Sequence, residues 1–214
     1  MIGLTTFLFL LLLGVAEQAA ARISDLCVVA SQKAAAQTGV PFAVLLAITQ
    51  TETGRREAEQ VQPWPWTLNM GGQGYWLDSR AAALKMAQAR LANGDTVFDV
   101  GCFQINYRWH GQHFDSLDQM LNPDVGAAYA ARLLQSLYRE TGDWSTAAAT
   151  YHSRTPVHAA RYRDRFDRFY ALAQASAGGA ALPAVRTNAF PLLRSGVGPT
   201  AMGSLVPIFE GGGK

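Results

Sequence analysis

Charged residues are scarce in this chain. Lys, Arg, Asp and Glu make up 16% of the 214 residues, and the formal net charge is only +2. A protein that binds nucleic acid usually carries a strongly basic patch, so this balance argues against a nucleic acid partner. A mildly positive surface still suits an anionic polymer.

Long hydrophobic runs are also missing. The apolar run at residues 1–16 is too short for a comfortable membrane span, and the small residues Ala19, Ala20 and Ala21 follow it. This pattern predicts a secretory signal peptide over residues 1–21 and an exported, periplasmic protein. An uncleaved anchor is the alternative, because Lys and Arg are absent before the apolar run.

Cysteine is limited to Cys27 and Cys102. In an exported protein, two cysteines most simply form one disulfide, which here ties the first helix to the segment after Asp99. Two unpaired thiols are the alternative.

The remaining pattern is mostly helical. Apolar spacing, caps and breakers predict helices over 23–38, 41–53, 80–93, 123–141 and 144–152, and from Pro156 onward. A β-hairpin with a glycine-rich turn is predicted over 63–77, and an extended segment over 96–106. The fold class is therefore α+β, with a folded domain over residues 22–175. Arg161, Arg165 and Arg168 are read as a solvated helix face.

Residues 176–214 form a tail rich in Gly, Pro and Ala, in which four prolines recur every eight residues. Such a segment cannot pack a core alone and is expected to be disordered. Its apolar residues suggest a docking peptide for a partner protein; an inert tail is the alternative.

Glu52 is the first candidate for chemistry. Val44, Ile48 and Glu52 share one face of the predicted helix, so the carboxyl projects from an apolar face near the helix end at Gly54. Apolar surroundings and the negative helix end both raise the pKa of a carboxyl, as a general acid at neutral pH requires. A surface glutamate at a frayed helix end is the alternative.

Three further segments supply groups that suit a glycan. Gln104 and Asn106 follow Gly101, Tyr151 and His152 end a helix, and Asn69 lies in the hairpin with its tryptophans. Flat rings contact sugar C–H faces, while amides and hydroxyls bind the polar edges. Ordinary packing accounts for Trp64, Trp66 and Trp76 equally well.

Together these residues make the chain resemble the family 1, SLT-type lytic transglycosylases. The family signature Glu-Ser-Gly is matched by 52–54, Gly-Leu-Met-Gln by 101–104, and Ala-x-x-x-Tyr-Asn by 147–152. The resemblance implies a lysozyme-like fold that cleaves the MurNAc–GlcNAc β-1,4 bond of peptidoglycan and leaves 1,6-anhydro-muramoyl ends. It implies no metal or organic cofactor.

The resemblance also implies residue roles. Glu52 is the catalytic acid and base, Tyr151 hydrogen-bonds it, and Gln104 lines the glycan groove. Thr53 replaces the usual serine and keeps a hydroxyl, and His152 replaces the asparagine. We expect Thr53, Asn69, Asn106 and His152 to join the substrate-binding set.

Some motifs resemble small specialised members of the family, which open the wall for flagellar rods or for type IV secretion and conjugation machines. The tail then suggests docking to a protein of such a machine, with the flagellar role favoured.

Three alternatives remain. Asp99 is a possible second carboxylate of a hydrolytic muramidase, although a hydrogen bond that fixes the backbone is the simpler role. An inactive glycan-binding adaptor is the second alternative, and the intact Glu52 argues against it. A zinc site at His110 and His113, with His152 as a further ligand, is the third, and it lacks a His-Glu-x-x-His pattern.

Overall fold

Helices dominate the described chain and surround a small antiparallel sheet, so the fold class is α+β, as predicted. The computed structural model describes residues 23–57 and 60–179. The predicted signal peptide at 1–21 and residues 180–214 of the predicted tail lie outside the described residues. None of the described helices has the length and apolarity that a membrane span requires.

The helices are α1 (residues 23–38), α2 (Phe42–Thr53), α3 (Arg80–Ala92), α4 (Tyr107–His110), α5 (Leu117–Met120), α6 (Pro123–Thr141), α7 (Trp144–His152) and α8 (Pro156–Gly179), with a 3-10 turn at Gly111–His113. The strands are β1 (Arg55–Glu57), β2 (Gln60–Gln62), β3 (Thr67–Met70), β4 (Gln73–Trp76), β5 (Phe98–Val100) and β6 (Ile105–Asn106).

Local capping residues explain several helix boundaries. Ser79 Oγ accepts a hydrogen bond from the Ala82 N–H and starts α3, and Asn122 Oδ1 does the same for the first turn of α6. Gly142 ends α6 in the left-handed conformation. Helix α8 continues to Gly179, four residues into the predicted tail, because Ala175, Ser176 and Ala177 are compatible with helix and the glycine pair comes only afterward.

The main sheet has the strand order β4-β3-β5-β6, and all its pairs are antiparallel. Gly71 and Gly72 form the turn between β3 and β4 with φ of 62° and 87°, values that glycine adopts without strain. The predicted hairpin is therefore confirmed. The separate β1–β2 hairpin and the short helices α4 and α5 are not among the predicted elements.

Helix α2 runs through the core. Val44, Leu45 and Ile48 are fully buried, and they pack in one cluster with Phe98, Phe103 and Phe166. The predicted apolar face of α2 is confirmed, and the buried helix fixes the position of Glu52 in its last turn.

A disulfide joins Cys27 in α1 to Cys102 in the turn after β5, as predicted. Both cysteines are buried in the core cluster. The cross-link holds the segment that leads to Gln104 against the helical part of the domain.

Candidate active site

A cleft of about 380 Å³ lies between the sheet and the helices. Its sheet side is formed by polar residues on adjacent strands: in the pairing register Asn69 lies opposite Asp99, and Asp99 lies opposite Asn106. Its helical side carries Glu52 from α2, Leu133 from α6, and Tyr151 and His152 from α7. The sequence-predicted residues Glu52, Asn69, Gln104, Asn106, Tyr151 and His152 are thus brought together.

Glu52 is half-buried, and it lines the cleft. Its pKa is raised from 4.5 to about 7, chiefly because burial disfavours the charged form. A hydrogen bond from Tyr162 lowers the pKa, the negative charge of Asp99 raises it, and the positive charge of Arg165 lowers it. The predicted rise in the pKa of Glu52 by burial is confirmed.

The phenol that contacts Glu52 comes from α8. Tyr162 Oη donates to Glu52 Oε1 at 2.7 Å. The prediction that Tyr151 makes this bond is wrong, because Tyr151 Oη donates instead to the Phe103 carbonyl at 2.8 Å. Tyr151 still lines the cleft, and its pKa is raised chiefly by burial and further by the negative charge of Glu52.

Arg165 contacts the C-terminal end of α2. Its guanidinium donates to the Thr51 carbonyl, one of the carbonyls left free at a helix C-terminus. Tyr162 and Arg165 are three residues apart on α8, so one helix supplies both groups to the end of α2.

Thr53 is not a substrate-binding residue in this structure. Its side chain is fully buried, donates to the Thr49 carbonyl and accepts from the Trp64 N–H at 3.1 Å. One helical step after Glu52 turns a side chain by about 100°, which directs Thr53 into the core rather than the cleft.

Gln104 sits in a tight turn between β5 and β6. It has a φ of 45°, in the left-handed region that non-glycine residues rarely occupy. Its Nε2 donates to the carbonyls of Thr67 and Gly101, at 3.2 and 2.9 Å. Within the described chain no donor reaches Gln104 Oε1, so this oxygen remains available to a ligand in the cleft.

The side chains of Asp99 and Asn106 form a hydrogen-bonded pair on the sheet side of the cleft. Asn106 Nδ2 donates to Asp99 Oδ1 at 2.8 Å, while the buried Asn106 Oδ1 has no partner among the described residues. Burial raises the pKa of Asp99, and the bond from Asn106 opposes that rise. The predicted hydrogen bond of Asp99 is present, and Asp99 also faces the cleft from β5.

Asn69 has a structural partner as well. Its Oδ1 accepts from the Gly72 N–H at 3.0 Å and holds the β3–β4 turn. Asn69 lines the cleft, so its side-chain amide nitrogen is left to donate to a ligand.

The hairpin tryptophans do not line the cleft. Trp64 is buried and donates from Nε1 to the Leu77 carbonyl, Trp66 packs against the core, and Trp76 donates to the Thr53 carbonyl. The exposed ring of the cleft is Trp109, which is 66% exposed. Its place three residues after Asn106 is the sequence signal for it, because the short helix that carries it was not predicted.

The histidines after Trp109 are organised around Tyr129. His110 Nδ1 lies 2.8 Å from Tyr129 Oη, and the His113 ring stacks on the Tyr129 ring. No group of three or more His, Cys, Asp or Glu residues in the described chain is arranged to hold a metal ion. His110 is nevertheless part of the cleft lining.

These features describe a polar cleft with two carboxyls of raised pKa, Glu52 and Asp99, several amide groups and an exposed indole. No protein-family model, curated protein or solved structure matches the chain.

Proposed function

We propose that this protein is a peptidoglycan lytic transglycosylase with a lysozyme-like fold. The observation that carries the proposal is the Glu52 carboxyl, which faces a polar cleft with a pKa of about 7. A general acid works best when its pKa lies near the operating pH, since it is then both protonated and able to give up its proton.

Protonated Glu52 gives its proton to the glycosidic oxygen as the bond to C1 of the muramoyl sugar breaks. The resulting carboxylate takes the proton from the C6 hydroxyl of the same sugar while that oxygen bonds to C1. The proton count balances, and Glu52 ends protonated once more. The nucleophile is already held beside C1, so no second carboxylate is needed to activate water.

Tyr162 fixes the orientation of the Glu52 carboxyl through its hydrogen bond. Gln104 Oε1, Asn106 Oδ1 and the Asn69 amide suit the hydroxyl and acetamido groups of a sugar. Trp109 offers a flat apolar surface for a pyranose ring.

Hydrolysis by a muramidase is the second candidate, and Asp99 favours it. Asp99 lines the same cleft, and its charge contributes to the raised pKa of Glu52. In that mechanism a second carboxylate activates a water molecule for attack on C1.

Product analysis separates the two candidates. Digestion of purified sacculi followed by mass spectrometry is expected to give 1,6-anhydro-muramoyl ends, which are lighter than reducing ends by one water. Glu52→Gln is expected to abolish lysis, and Asp99→Asn to leave anhydro products in place. Reducing ends from the wild type, lost in Asp99→Asn, would establish the hydrolase instead.

The specialised role is also a proposal. An exported enzyme that opens the wall locally suits the assembly of an envelope-spanning machine, with a flagellar rod favoured and a secretion or conjugation machine as the alternative. Removal of residues 180–214 leaves α8 intact and is expected to preserve lysis while weakening capture of rod or secretion-system protein. Unchanged capture of both would refute docking through the tail.

A further inference from the structure

A second cavity of about 310 Å³ adjoins the cleft, and its lining is basic. It is formed by His152, His158, Arg161, Tyr162 and Arg165. The last four residues follow the helical spacing i, i+3, i+4 and i+7, so one face of α8 supplies them. This face includes Arg161 and Arg165, two of the three arginines that the sequence indicated as a solvated surface, and both are exposed.

Among the described residues, neither arginine of this cavity forms a close ion pair, although Arg165 donates to the Thr51 carbonyl and its charge acts on Glu52. Within the described part of the chain, no carboxylate lies within ion-pair distance of Arg161 or Arg165, whereas Arg163 on the other side of α8 pairs with Asp167. Burial lowers the pKa of His152, and the positive charge of Arg165 and the neighbouring His158 lower it further. A concave site lined by unpaired cations attracts an anion.

Two rings connect this cavity to the catalytic cleft. The His152 ring stacks on the Tyr162 ring with centroids 4.5 Å apart, and His152 lines both cavities. Tyr162 borders the basic cavity and donates to Glu52 in the cleft. A group in the basic cavity therefore lies close to the sugar on which Glu52 acts.

We infer that the basic cavity binds a carboxylate carried by the muramoyl sugar, an inference that rests on the proposed function. The muramoyl ring bears a lactyl branch on C3, two carbons from the C1 at which the bond breaks. In bare glycan the lactyl group ends in a carboxylate, and in peptide-bearing glycan the carboxylates belong to the stem peptide. Arginine suits either source, because its guanidinium binds a carboxylate through two parallel hydrogen bonds.

Binding to three soluble ligands tests this inference in a Glu52→Gln background, which prevents turnover. The ligands are peptide-bearing glycan strands, strands stripped of peptide by an amidase, and neutral chitin oligomers. Arg161→Gln is expected to weaken binding of at least one carboxylate-bearing ligand roughly ten-fold and to leave chitin oligomers unaffected. A loss confined to peptide-bearing strands identifies the stem peptide, and a loss that includes the stripped strands identifies the lactyl group.

Arg163→Gln is the matched control, because it removes the same charge from the opposite face of α8. His158→Gln is a second cavity variant and is expected to act in the same direction as Arg161→Gln. Equal losses for chitin oligomers, equal losses in Arg163→Gln, or no loss in either cavity variant would overturn the inference.

Failure of the proposed function has a different signature. If selective carboxylate binding persists while the wild type releases no anhydro-muramoyl ends from sacculi, the carboxylate site stands and the transglycosylase assignment falls. If anhydro ends form but Arg161→Gln and His158→Gln both bind all three ligands normally, the carboxylate site alone is refuted.

Discussion

Tyr162 and Glu52 are 110 residues apart in the chain, yet the phenol donates a 2.7 Å hydrogen bond to the carboxyl. The bond stabilises the ionised form of Glu52 and therefore lowers its pKa, against the larger effect of burial. The two largest influences on the acidity of Glu52, its burial and the bond from Tyr162, thus act in opposite directions.

Replacement of Tyr162 by Phe removes the bond that lowers the pKa of Glu52. We expect the pKa of Glu52 to rise, so that its carboxyl stays protonated to higher pH. The alkaline limb of the pH–rate profile then moves to higher pH. We also expect kcat to fall roughly ten-fold, because the carboxyl loses its fixed orientation. The measurement is the pH dependence of sacculus lysis.

Tyr138→Phe is the control for that variant. Tyr138 stacks on Trp144 away from the cleft, so loss of its hydroxyl is expected to leave the profile unchanged. An unshifted alkaline limb in Tyr162→Phe would contradict the role given to Tyr162.

Glu52→Gln is expected to stabilise the protein at neutral pH while it abolishes lysis. Burial raises the pKa of Glu52 from 4.5 to about 7, so ionisation costs more in the folded state than in the unfolded state. The wild type therefore loses stability as pH rises from about 4.5 to about 7, by up to roughly 3 kcal/mol. Glutamine does not ionise and avoids that loss.

Denaturant unfolding of both proteins between pH 4 and pH 8 measures this difference. The stability advantage of Glu52→Gln is expected to be small at the acidic end, to grow through the window between the two pKa values and to level off above it. An advantage independent of pH would show that ionisation of Glu52 is not its cause.

Loss of the Cys27–Cys102 disulfide is expected to lower the free energy of unfolding by roughly 4 kcal/mol. The cross-link spans a sequence separation of 75 residues and restricts the unfolded chain accordingly. The double variant Cys27→Ala, Cys102→Ala, studied by denaturant unfolding, measures the effect. Addition of a reductant should destabilise the wild type and leave the double variant unchanged.

Trp109→Ala is expected to raise KM for glycan about ten-fold without a change in Tm. The ring is 66% exposed, so its removal leaves the core intact while it removes an apolar surface from the cleft. Trp109→Phe retains a flat ring and should restore most of the affinity. A drop in Tm for Trp109→Ala would indicate a packing role instead.

Helix boundaries were predictable because they depend on neighbours in sequence. The side chains of Ser79 and Asn122 cap the helices that follow them, and Gly142 ends the helix before it. The burial of α2 also followed from its own apolar pattern. These features require only short-range physical chemistry.

The partners in the cleft were harder to predict because tertiary packing chooses them. Tyr151 and Tyr162 are both aromatic residues on helices near the candidate site, and only the placement of α8 decides which one reaches Glu52. In the same way, sequence alone did not show that Trp64 is buried while Trp109 is exposed. The apolar spacing of α2 predicted that Glu52 projects from its helix, and Glu52 and Gln104 both line the cleft, whereas the expected ligand role of Thr53 does not fit its full burial.

The position of Tyr162 and Arg165 on α8, near the end of the domain, has a consequence for the order in which the site is synthesised. Translation proceeds from the N-terminus, so Glu52 leaves the ribosome long before the helix that supplies its phenol and the cation at the end of α2. A nascent or truncated chain that stops before α8 carries the acid without these two neighbours. Assembly of the candidate site therefore requires synthesis of nearly the whole domain, up to the helix that contributes these two side chains.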